Sequence, residues 1–245
     1  MKKIIAFFLL CFVLFGANPS IDNLELLTEE FPPLNFSKDS KVYGLSVDIL
    51  EEVLKECNSK LTRKDIKIMP WSRAYNIAQT SKNKLIFSMV ETPERKKIFK
   101  FVGPFYKTKV GVIAKKNKHI KINSFKDLNK YKIGVVHLDY GETLILETGV
   151  SQNNLEYVIY PFQNALKLSQ DRIDLWVQDE TVAKYVFESI NVDQAEFETV
   201  YTLKEGSLSF ALSKDVPDST VKLLQKALDK VMASDKYKDI ISKYK

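Results

Sequence analysis

Short apolar runs alternate with amphipathic stretches along almost the whole chain, and this alternation constrains the fold more than any other feature of the sequence. A short apolar run is typical of a buried strand, whereas apolar residues spaced three and four apart indicate one face of a helix. Strands and helices taken in turn predict an α/β protein. The first series is predicted to contain strands at residues 23–27, 66–69 and 85–90 and helices at residues 46–57 and 72–80.

A second α/β series of similar size follows Gly103 and Pro104. Its predicted strands are residues 110–114, 132–136, 155–160, 174–177 and 198–203. Its predicted helices are residues 124–128, 141–147, 164–170 and 180–190. A further strand at residues 207–212 and two helices at residues 217–232 and 234–243 complete the predicted elements.

The two terminal helices predict how the series are arranged. Packing them against the first series is the economical solution, and it requires the chain to cross twice between the series, near residues 106–109 and 206–208. Two crossings predict a hinge and a cleft. The expected lobe 1 is residues 18–107 and 208–245, and the expected lobe 2 is residues 108–207.

The N-terminal segment predicts export. Lys2 and Lys3 precede thirteen largely apolar residues, 4–16, which span about 20 Å as a helix and are too short for the ~30 Å core of a bilayer. Residues 1–17 therefore match a secretory signal peptide, with a retained anchor as the alternative. Cys11 follows Leu10, where a lipoprotein signal would have Gly or Ala, so a freely soluble periplasmic protein is expected.

Composition removes several other classes of protein. With 45% hydrophobic and 28% charged residues, the chain is neither disordered nor a polytopic membrane protein. The formal net charge of +6 is spread over scattered lysines without a basic motif, which argues against nucleic-acid binding. Loss of the signal would leave Cys57 as the only cysteine, so no intramolecular disulfide is expected.

The motifs of common enzymes are absent from the sequence. His119 and His137 are the only histidines, and neither has a partner at metal-ligand spacing. No Gly-x-Ser-x-Gly elbow, phosphate loop or dinucleotide fingerprint occurs, so no cofactor is expected. The sequence therefore favours a binding protein over an enzyme.

Four segments carry a resemblance that covers the chain after the signal. Residues 31–34 read Phe-Pro-Pro-Leu and residues 43–49 read Tyr-Gly-Leu-Ser-Val-Asp-Ile. Residues 88–95 read Ser-Met-Val-Glu-Thr-Pro-Glu-Arg, followed by Phe-Val-Gly-Pro-Phe-Tyr at 101–106, and residues 171–179 read Asp-Arg-Ile-Asp-Leu-Trp-Val-Gln-Asp. In this order and spacing they resemble the family 3 extracellular solute-binding proteins of amino-acid ABC transporters. The resemblance implies a two-lobe periplasmic-binding-protein fold with a central ligand cleft.

The resemblance also implies roles for two charged residues. An α-amino acid needs a bidentate cation for its carboxylate and an acceptor for its ammonium group. The family's matching residues are Arg95 in the first lobe and Asp179 in the second. The alternatives are a surface ion pair for Arg95 and a cap of the helix beginning at Glu180 for Asp179.

Six further residues are candidates for contact with the ligand. Phe31 and Trp71 would provide aromatic walls, and Arg73 a second cation. The remaining candidates, which would donate hydrogen bonds, are Ser88, Thr92 and Tyr140. For each, an ordinary structural role is the alternative.

Asp139 departs from the family pattern. The family often has a Gly-Thr/Ser-Thr turn at the start of a second-lobe helix, and its hydroxyl and amide groups receive the ligand carboxylate. Here residues 138–142 read Leu-Asp-Tyr-Gly-Glu. Asp139 would repel a carboxylate unless it is turned away or paired, for which Arg73 is a candidate.

The expected function is capture of a small polar, amino-acid-like ligand by hinge closure, as a monomer that delivers it to a membrane ABC permease. One alternative is a ligand-sensing protein that reports to a membrane receptor. The other is an enzyme similar to the family's cyclohexadienyl dehydratases, for which Glu91, His137 and Asp139 are the candidate acids and bases.

Overall fold

The computed structural model describes residues 21–244 and confirms the predicted α/β class. The signal peptide predicted at residues 1–17 lies outside the described residues. The helices are α1 (Leu45–Glu56), α2 (Trp71–Thr80), α3 (Pro93–Ile98), α4 (Tyr140–Glu147), α5 (Pro161–Ser169), α6 (Glu180–Ser189), α7 (Asp218–Met232) and α8 (Asp235–Lys243). The strands are β1 (Glu25–Thr28), β2 (Phe36–Lys38), β3 (Lys41–Tyr43), β4 (Ile66–Ile68), β5 (Lys84–Val90), β6 (Phe99–Lys115), β7 (Ile133–Val136), β8 (Leu155–Val158), β9 (Leu175–Asp179) and β10 (Phe197–Ser213).

Eight of these strands form one continuous sheet in the order β4-β1-β5-β10-β6-β9-β7-β8. At one end β1 pairs in parallel with β4 and β5, and at the other end β7 pairs in parallel with β8 and β9. Between them, β10 and β6 run antiparallel to their neighbours. The two parallel groups are therefore joined through two central antiparallel strands.

The central strands are longer than the sequence predicts. The predicted strands at 198–203 and 207–212 are parts of one strand, β10, and the predicted strand at 110–114 is the end of β6. β6 and β10 pair along their length with several register shifts. Ser207 pairs with Lys107 and Leu208 with Tyr106, so the two predicted crossing points are side by side.

Three other local differences follow from turn and capping chemistry. Residues 36–43 form a two-stranded hairpin, β2-β3, that the sequence did not predict. The predicted helix at 124–128 is a 3-10 helix, Phe125–Lys130, begun by a Ser124–Asp127 capping box. Helix α3 was missed, although Thr92 caps it and Pro93 occupies its first turn.

The C-terminal helices pack against the first α/β series. Val53 and Leu54 of α1 share a hydrophobic core with Leu224 and Leu228 of α7. The Asp48 carboxylate in α1 also accepts hydrogen bonds from Lys243 Nζ at 2.7 Å and from Tyr244 Oη at 2.9 Å. Within the stretch from 21 to 244, no helix is both long and apolar enough to cross a membrane.

Candidate functional site

A small cavity of about 40 Å³ lies beside the central strands, where β1, β5 and β9 end. Ligands of open α/β sheets bind in crevices at the carboxyl ends of strands. This volume is below the range of about 300–1,000 Å³ that is typical of small-molecule sites, so a ligand can be accommodated only when the cavity widens. The lining residues are Glu29, Phe31, Trp71, Ser88, Val90, Arg95, Thr108, Val110, Asp139, Tyr140, Gly141, Gln178, Asp179 and Leu208.

Arg95 brings a buried positive charge to the cavity. Helix α3 begins directly after β5, and its N-cap Thr92 accepts a hydrogen bond from the Arg95 N–H at 3.2 Å. The Arg95 side chain is only 5% exposed, and its Nη1 donates to the Val90 carbonyl at 3.1 Å. Burial lowers the Arg95 pKa. Among residues 21–244, no carboxylate forms an ion pair with Arg95.

Three aromatic rings surround the Arg95 guanidinium. Its Cζ lies 5.7 Å from the centroid of Trp71, 5.7 Å from that of Tyr75 and 5.8 Å from that of Tyr140. Cations within about 6 Å of a ring face are attracted by its electrons. The sequence predicted Trp71 and Tyr140 but missed Tyr75. The spacing of four residues between Trp71 and Tyr75 places both on one face of α2, which is the signal that could have identified Tyr75.

A hydrogen bond links the two sides of the cavity. Trp71 Nε1, at the start of α2, donates to the Leu138 carbonyl at 2.7 Å. Leu138 precedes α4 and has a left-handed backbone with φ 62°. Its own N–H donates to the Glu142 carboxylate, which fixes the turn from the other side. Trp71 therefore contributes both a ring beside Arg95 and a polar contact across the cavity.

Asp179 lines the cavity and caps α6 at the same time. Its Oδ1 accepts a hydrogen bond from Val182 N at 2.9 Å. Its Oδ2 accepts from Thr108 Oγ1 and, at 3.1 Å, from Lys109 N. Burial raises the Asp179 pKa, and these hydrogen bonds oppose the rise. The two roles considered from the sequence are compatible, because the carboxylate that starts the helix also faces the cavity.

Phe31 and Ser88 line the cavity, whereas two other predicted residues do not. Ser88 has a left-handed backbone with φ 63°, and its hydroxyl is within hydrogen-bond distance of Ser46 Oγ at 2.8 Å. Thr92 caps α3 and supports Arg95 from outside the cavity. Arg73 is exposed, because two residues along a helix turn a side chain about 200° away from Trp71.

Glu29 and Gln178 are cavity residues that the sequence analysis missed. Glu29 follows β1 and is 7% exposed. Burial raises its pKa well above the ordinary value, and the charge of Asp139 adds to this effect. Gln178 is 2% exposed, and its Oε1 accepts a hydrogen bond from Asp179 N at 2.8 Å. Its Nε2 has no hydrogen-bond partner among the described residues.

Asp139 faces the cavity from the N-terminus of α4. Its Oδ1 accepts a hydrogen bond from Glu142 N at 2.6 Å. Burial raises the Asp139 pKa to about 7, with a smaller contribution from the charge of Glu142. Within the described chain it forms no ion pair with Arg73 or with any other cation.

Most of the chain matches one known protein family. The model of the bacterial extracellular solute-binding proteins, family 3, matches residues 26–245. The chain belongs to this family. The family resemblance predicted from residues 31–34, 43–49, 88–95, 101–106 and 171–179 is thereby confirmed.

The names of individual relatives of this solute-binding protein agree with the family assignment. A protein of Neisseria gonorrhoeae named "Probable histidine-binding protein" is 28% identical over 237 residues, which are 94% of this chain and 85% of the relative. The solved structure of an ABC uptake transporter substrate binding protein from Streptococcus pneumoniae with bound histidine has a TM-score of 0.80. This chain and the Streptococcus pneumoniae protein are 17% identical, and the match covers 92% of this chain and 94% of that protein.

A histidine kinase sensor domain with similarity to periplasmic binding proteins also shares the fold. Its TM-score is 0.80 at 13% identity, over 90% of this chain and 95% of the other. The solute-binding protein thus has the two-lobe periplasmic-binding-protein fold predicted from its sequence. In residues 21–244 no cluster of three or more His, Cys, Asp or Glu residues is arranged to hold a metal ion.

Proposed function

We propose that this protein captures an amino acid in the cavity and delivers it to a membrane ABC permease. The ligand would lie between lobe 1, residues 18–107 and 208–245, and lobe 2, residues 108–207. The observation that carries the proposal is the buried guanidinium of Arg95, which faces the cavity and forms no ion pair with a carboxylate among the described residues.

The carboxylate of an amino acid is the partner that Arg95 lacks. A buried charge without a partner costs several kcal/mol, and an ion pair with hydrogen bonds offsets that cost. The rings of Trp71, Tyr75 and Tyr140 hold the guanidinium in position. An Arg held in this way can use its planar N–H groups to bind both oxygens of a carboxylate.

Asp179 is the proposed acceptor for the ammonium group. An ionised carboxylate has about four sites that accept hydrogen bonds. Three are used by Val182 N, Thr108 Oγ1 and Lys109 N. The backbone N–H of Thr181 also stabilises the carboxylate, so the ligand ammonium would share these acceptor sites with the backbone donors.

Closure of the cavity is proposed to depend on contacts between the lobes. Trp71 and Arg95 belong to lobe 1, whereas Leu138 and Tyr140 belong to lobe 2. The Trp71–Leu138 hydrogen bond of 2.7 Å and the approach of Tyr140 to Arg95 at 5.8 Å both require the lobes to be close together. Paired β6 and β10 are the proposed hinge, because both crossings lie there.

Transport in the periplasm is proposed over sensing because of the relatives. The Neisseria gonorrhoeae relative, at 28% identity, has a name that describes amino-acid binding, whereas the sensor domain shares only the fold at 13% identity. The proposal includes export through the signal peptide at 1–17 and action as a monomer. Transport would be supported if deletion of the gene abolished uptake of a labelled amino acid and left the cell's signalling response to that amino acid unchanged.

An enzymatic role is not proposed. Of the three acid-base candidates, only Asp139 lines the cavity. Glu91 forms a surface ion pair with Lys96 at 2.6 Å, and the exposed His137 lies 3.5 Å from the Glu142 carboxylate. The family model that matches the chain describes solute-binding proteins.

The decisive experiment is calorimetry with the twenty amino acids on purified wild type, Arg95→Ala and Arg95→Lys. Removing one partner of a buried charge pair weakens binding by about 2–5 kcal/mol, so Arg95→Ala should lose most of its affinity. Arg95→Lys should recover only part, because lysine lacks the planar fork. The matched control is Arg73→Ala, an exposed arginine that should bind as wild type does. Full affinity in a folded Arg95→Ala protein would refute the proposal.

A further inference from the structure

We propose that a groove between the two lobes, separate from the amino-acid cavity, is a second ligand site for arylalkyl amines, and that its occupation favours the closed lobes. Such a ligand has an aromatic ring linked to a protonated amino group and carries no carboxylate. The groove has a volume of about 660 Å³, within the range of about 300–1,000 Å³ that is typical of small-molecule sites. Apolar residues of both proposed lobes line it, among them Pro32, Ile68 and Met69 of lobe 1 and Tyr160, Phe162 and Ile190 of lobe 2.

The groove and the amino-acid cavity are separate, although neighbouring residues of the chain line them. Glu29 and Phe31 line the cavity, whereas Glu30 and Pro32 line the groove. Among the described residues, none lines both. An amine can therefore occupy the groove while an amino acid occupies the cavity.

Exposed apolar side chains form the lobe 2 wall of the groove. Phe162, in the first turn of α5, is 44% exposed. Its ring stacks with that of Tyr160, with the ring centroids 5.9 Å apart and the ring planes inclined by 17°. Ile159, directly before Tyr160, is also exposed. Apolar side chains gathered at an exposed surface mark a binding site, and this stacked pair can pack against an aromatic ring of the ligand.

Glu30 determines the charge of the ligand. Among the described residues that line the groove, it is the only charged one. Its carboxylate accepts hydrogen bonds from Ser37 N at 3.1 Å and from the Ser37 hydroxyl. These donors are neutral, and no Lys, Arg or His in the stretch from 21 to 244 forms an ion pair with Glu30. The groove therefore has a fixed negative charge that no cation of the described chain neutralises.

The aromatic wall and the carboxylate together define the ligand class. The wall favours an aromatic ring, and Glu30 favours a protonated amine, which donates charge-assisted hydrogen bonds. A ligand carboxylate would find no cation among the described residues of the groove, and Glu30 would repel it. Arylalkyl amines are therefore favoured over aromatic acids and over the amino acids proposed for the cavity.

Occupation of the groove should favour the closed arrangement of the lobes. Phe36 of β2 and Tyr185 of α6 directly precede the lining residues Ser37 and Val186, and their ring centroids are 5.7 Å apart. The proposed lobes thus already meet beside the groove. A ligand that contacts both walls binds the closed form more tightly and shifts the equilibrium toward it. By linkage, the amine should raise the affinity of the cavity for its amino acid.

The test compares two ligands that differ in charge. The probe is 2-phenylethylamine, which is protonated at pH 7, and its neutral counterpart is 2-phenylethanol. Each is titrated into the wild type by calorimetry, without amino acid and with a saturating concentration of the tightest of the twenty. The amine should bind at least about 5-fold more tightly than the alcohol in both cases, because it donates a charge-assisted hydrogen bond.

Two variants assign the binding to the groove. Phe162→Ala removes the exposed ring and should weaken binding of both ligands by about 2- to 12-fold. Glu30→Gln keeps an acceptor for Ser37 N and should bring the ratio of the two affinities toward one. Phe125→Ala, at another exposed ring, and Glu91→Gln are the matched controls, because neither residue lines the groove, and both should bind as the wild type does. Circular dichroism would verify that each variant is folded.

The outcomes separate the groove from the proposed function. Equal affinity of the wild type for amine and alcohol, or unchanged amine affinity in Phe162→Ala, would overturn the groove site. Displacement of the amine by the amino acid would place it in the cavity and would also overturn the site. Tighter amino-acid binding in the presence of the amine would support the effect on closure, and unchanged binding would overturn that effect. The titrations without amino acid test the groove even if the proposed function fails.

Discussion

Asp139→Asn should make the ligand-free protein more stable at neutral pH and have little effect in acid. The Asp139 pKa is raised from 3.8 to about 7, chiefly by burial. That difference corresponds to about 4 kcal/mol at about 1.4 kcal/mol per pH unit. Because Asp139 remains partly exposed, solvent reduces the expected cost to about 2–4 kcal/mol.

The direction of the pH dependence follows from proton binding. Below pH 4 Asp139 is protonated in both the folded and the unfolded chain, so it imposes no penalty. Between about pH 4 and pH 7 the unfolded chain releases its proton before the folded chain does, and the folded state loses stability as the pH rises. Above pH 7 both forms are ionised, and the penalty is complete.

Asparagine removes the charge and keeps the cap. Its side-chain oxygen can accept the hydrogen bond from Glu142 N, and Asn and Asp are nearly equal at this helix position. Urea unfolding should therefore show a gain of about 2–4 kcal/mol at pH 8 and less than about 1 kcal/mol at pH 4.5. Asp193→Asn is the control, because Asp193 caps a short turn at the exposed surface. A gain of equal size at both pH values, or a loss at pH 8, would refute the reasoning.

Three further changes test the supports of the site and the core. Trp71→Phe keeps a ring but removes the donor to the Leu138 carbonyl, so calorimetry should show about 2- to 12-fold weaker ligand binding. An unchanged Kd would show that this hydrogen bond does not contribute to closure of the cavity. Thr92→Ala removes the cap of α3, so the free energy of unfolding in urea should fall by about 0.5–2 kcal/mol. Ligand binding should also weaken, because the cap positions Arg95. A loss of stability with unchanged affinity would show that the cap does not support the site. Leu228→Ala, in the core between α1 and α7, should cost about 2–5 kcal/mol without affecting affinity, and a smaller loss would show that the core repacks.

Sequence patterns predicted the fold well where local rules apply. The helix at Leu45–Glu56 and the strand at Lys84–Val90 follow from periodicity within a few residues of their ends. Long-range pairing is what those rules miss. Gly103 and Pro104 interrupt any local strand pattern, yet β6 runs through both because it pairs with β10 on either side of them, at Val102 and Tyr106, across a register shift.

The site residues were likewise predicted where a local motif marks them and missed where only long-range packing does. Arg95 was predicted because the local Thr-Pro-Glu-Arg motif resembles that of the family. The structure shows that the same motif supplies the cap and first turn that position Arg95. Glu29 was missed because nothing in the sequence distinguishes it from Glu30. Only the packing of β1 shows that Glu29 is buried at the cavity, while the Glu30 carboxylate accepts a hydrogen bond from Ser37 N at 3.1 Å outside it.

A crystal structure with the tightest-binding amino acid of the twenty would test the central claim most directly. The account predicts a closed cavity with both ligand carboxylate oxygens within about 3 Å of the Arg95 guanidinium and the ligand ammonium within about 3 Å of the Asp179 carboxylate. A ligand bound outside the cavity, or a bound carboxylate that faces away from Arg95, would contradict it.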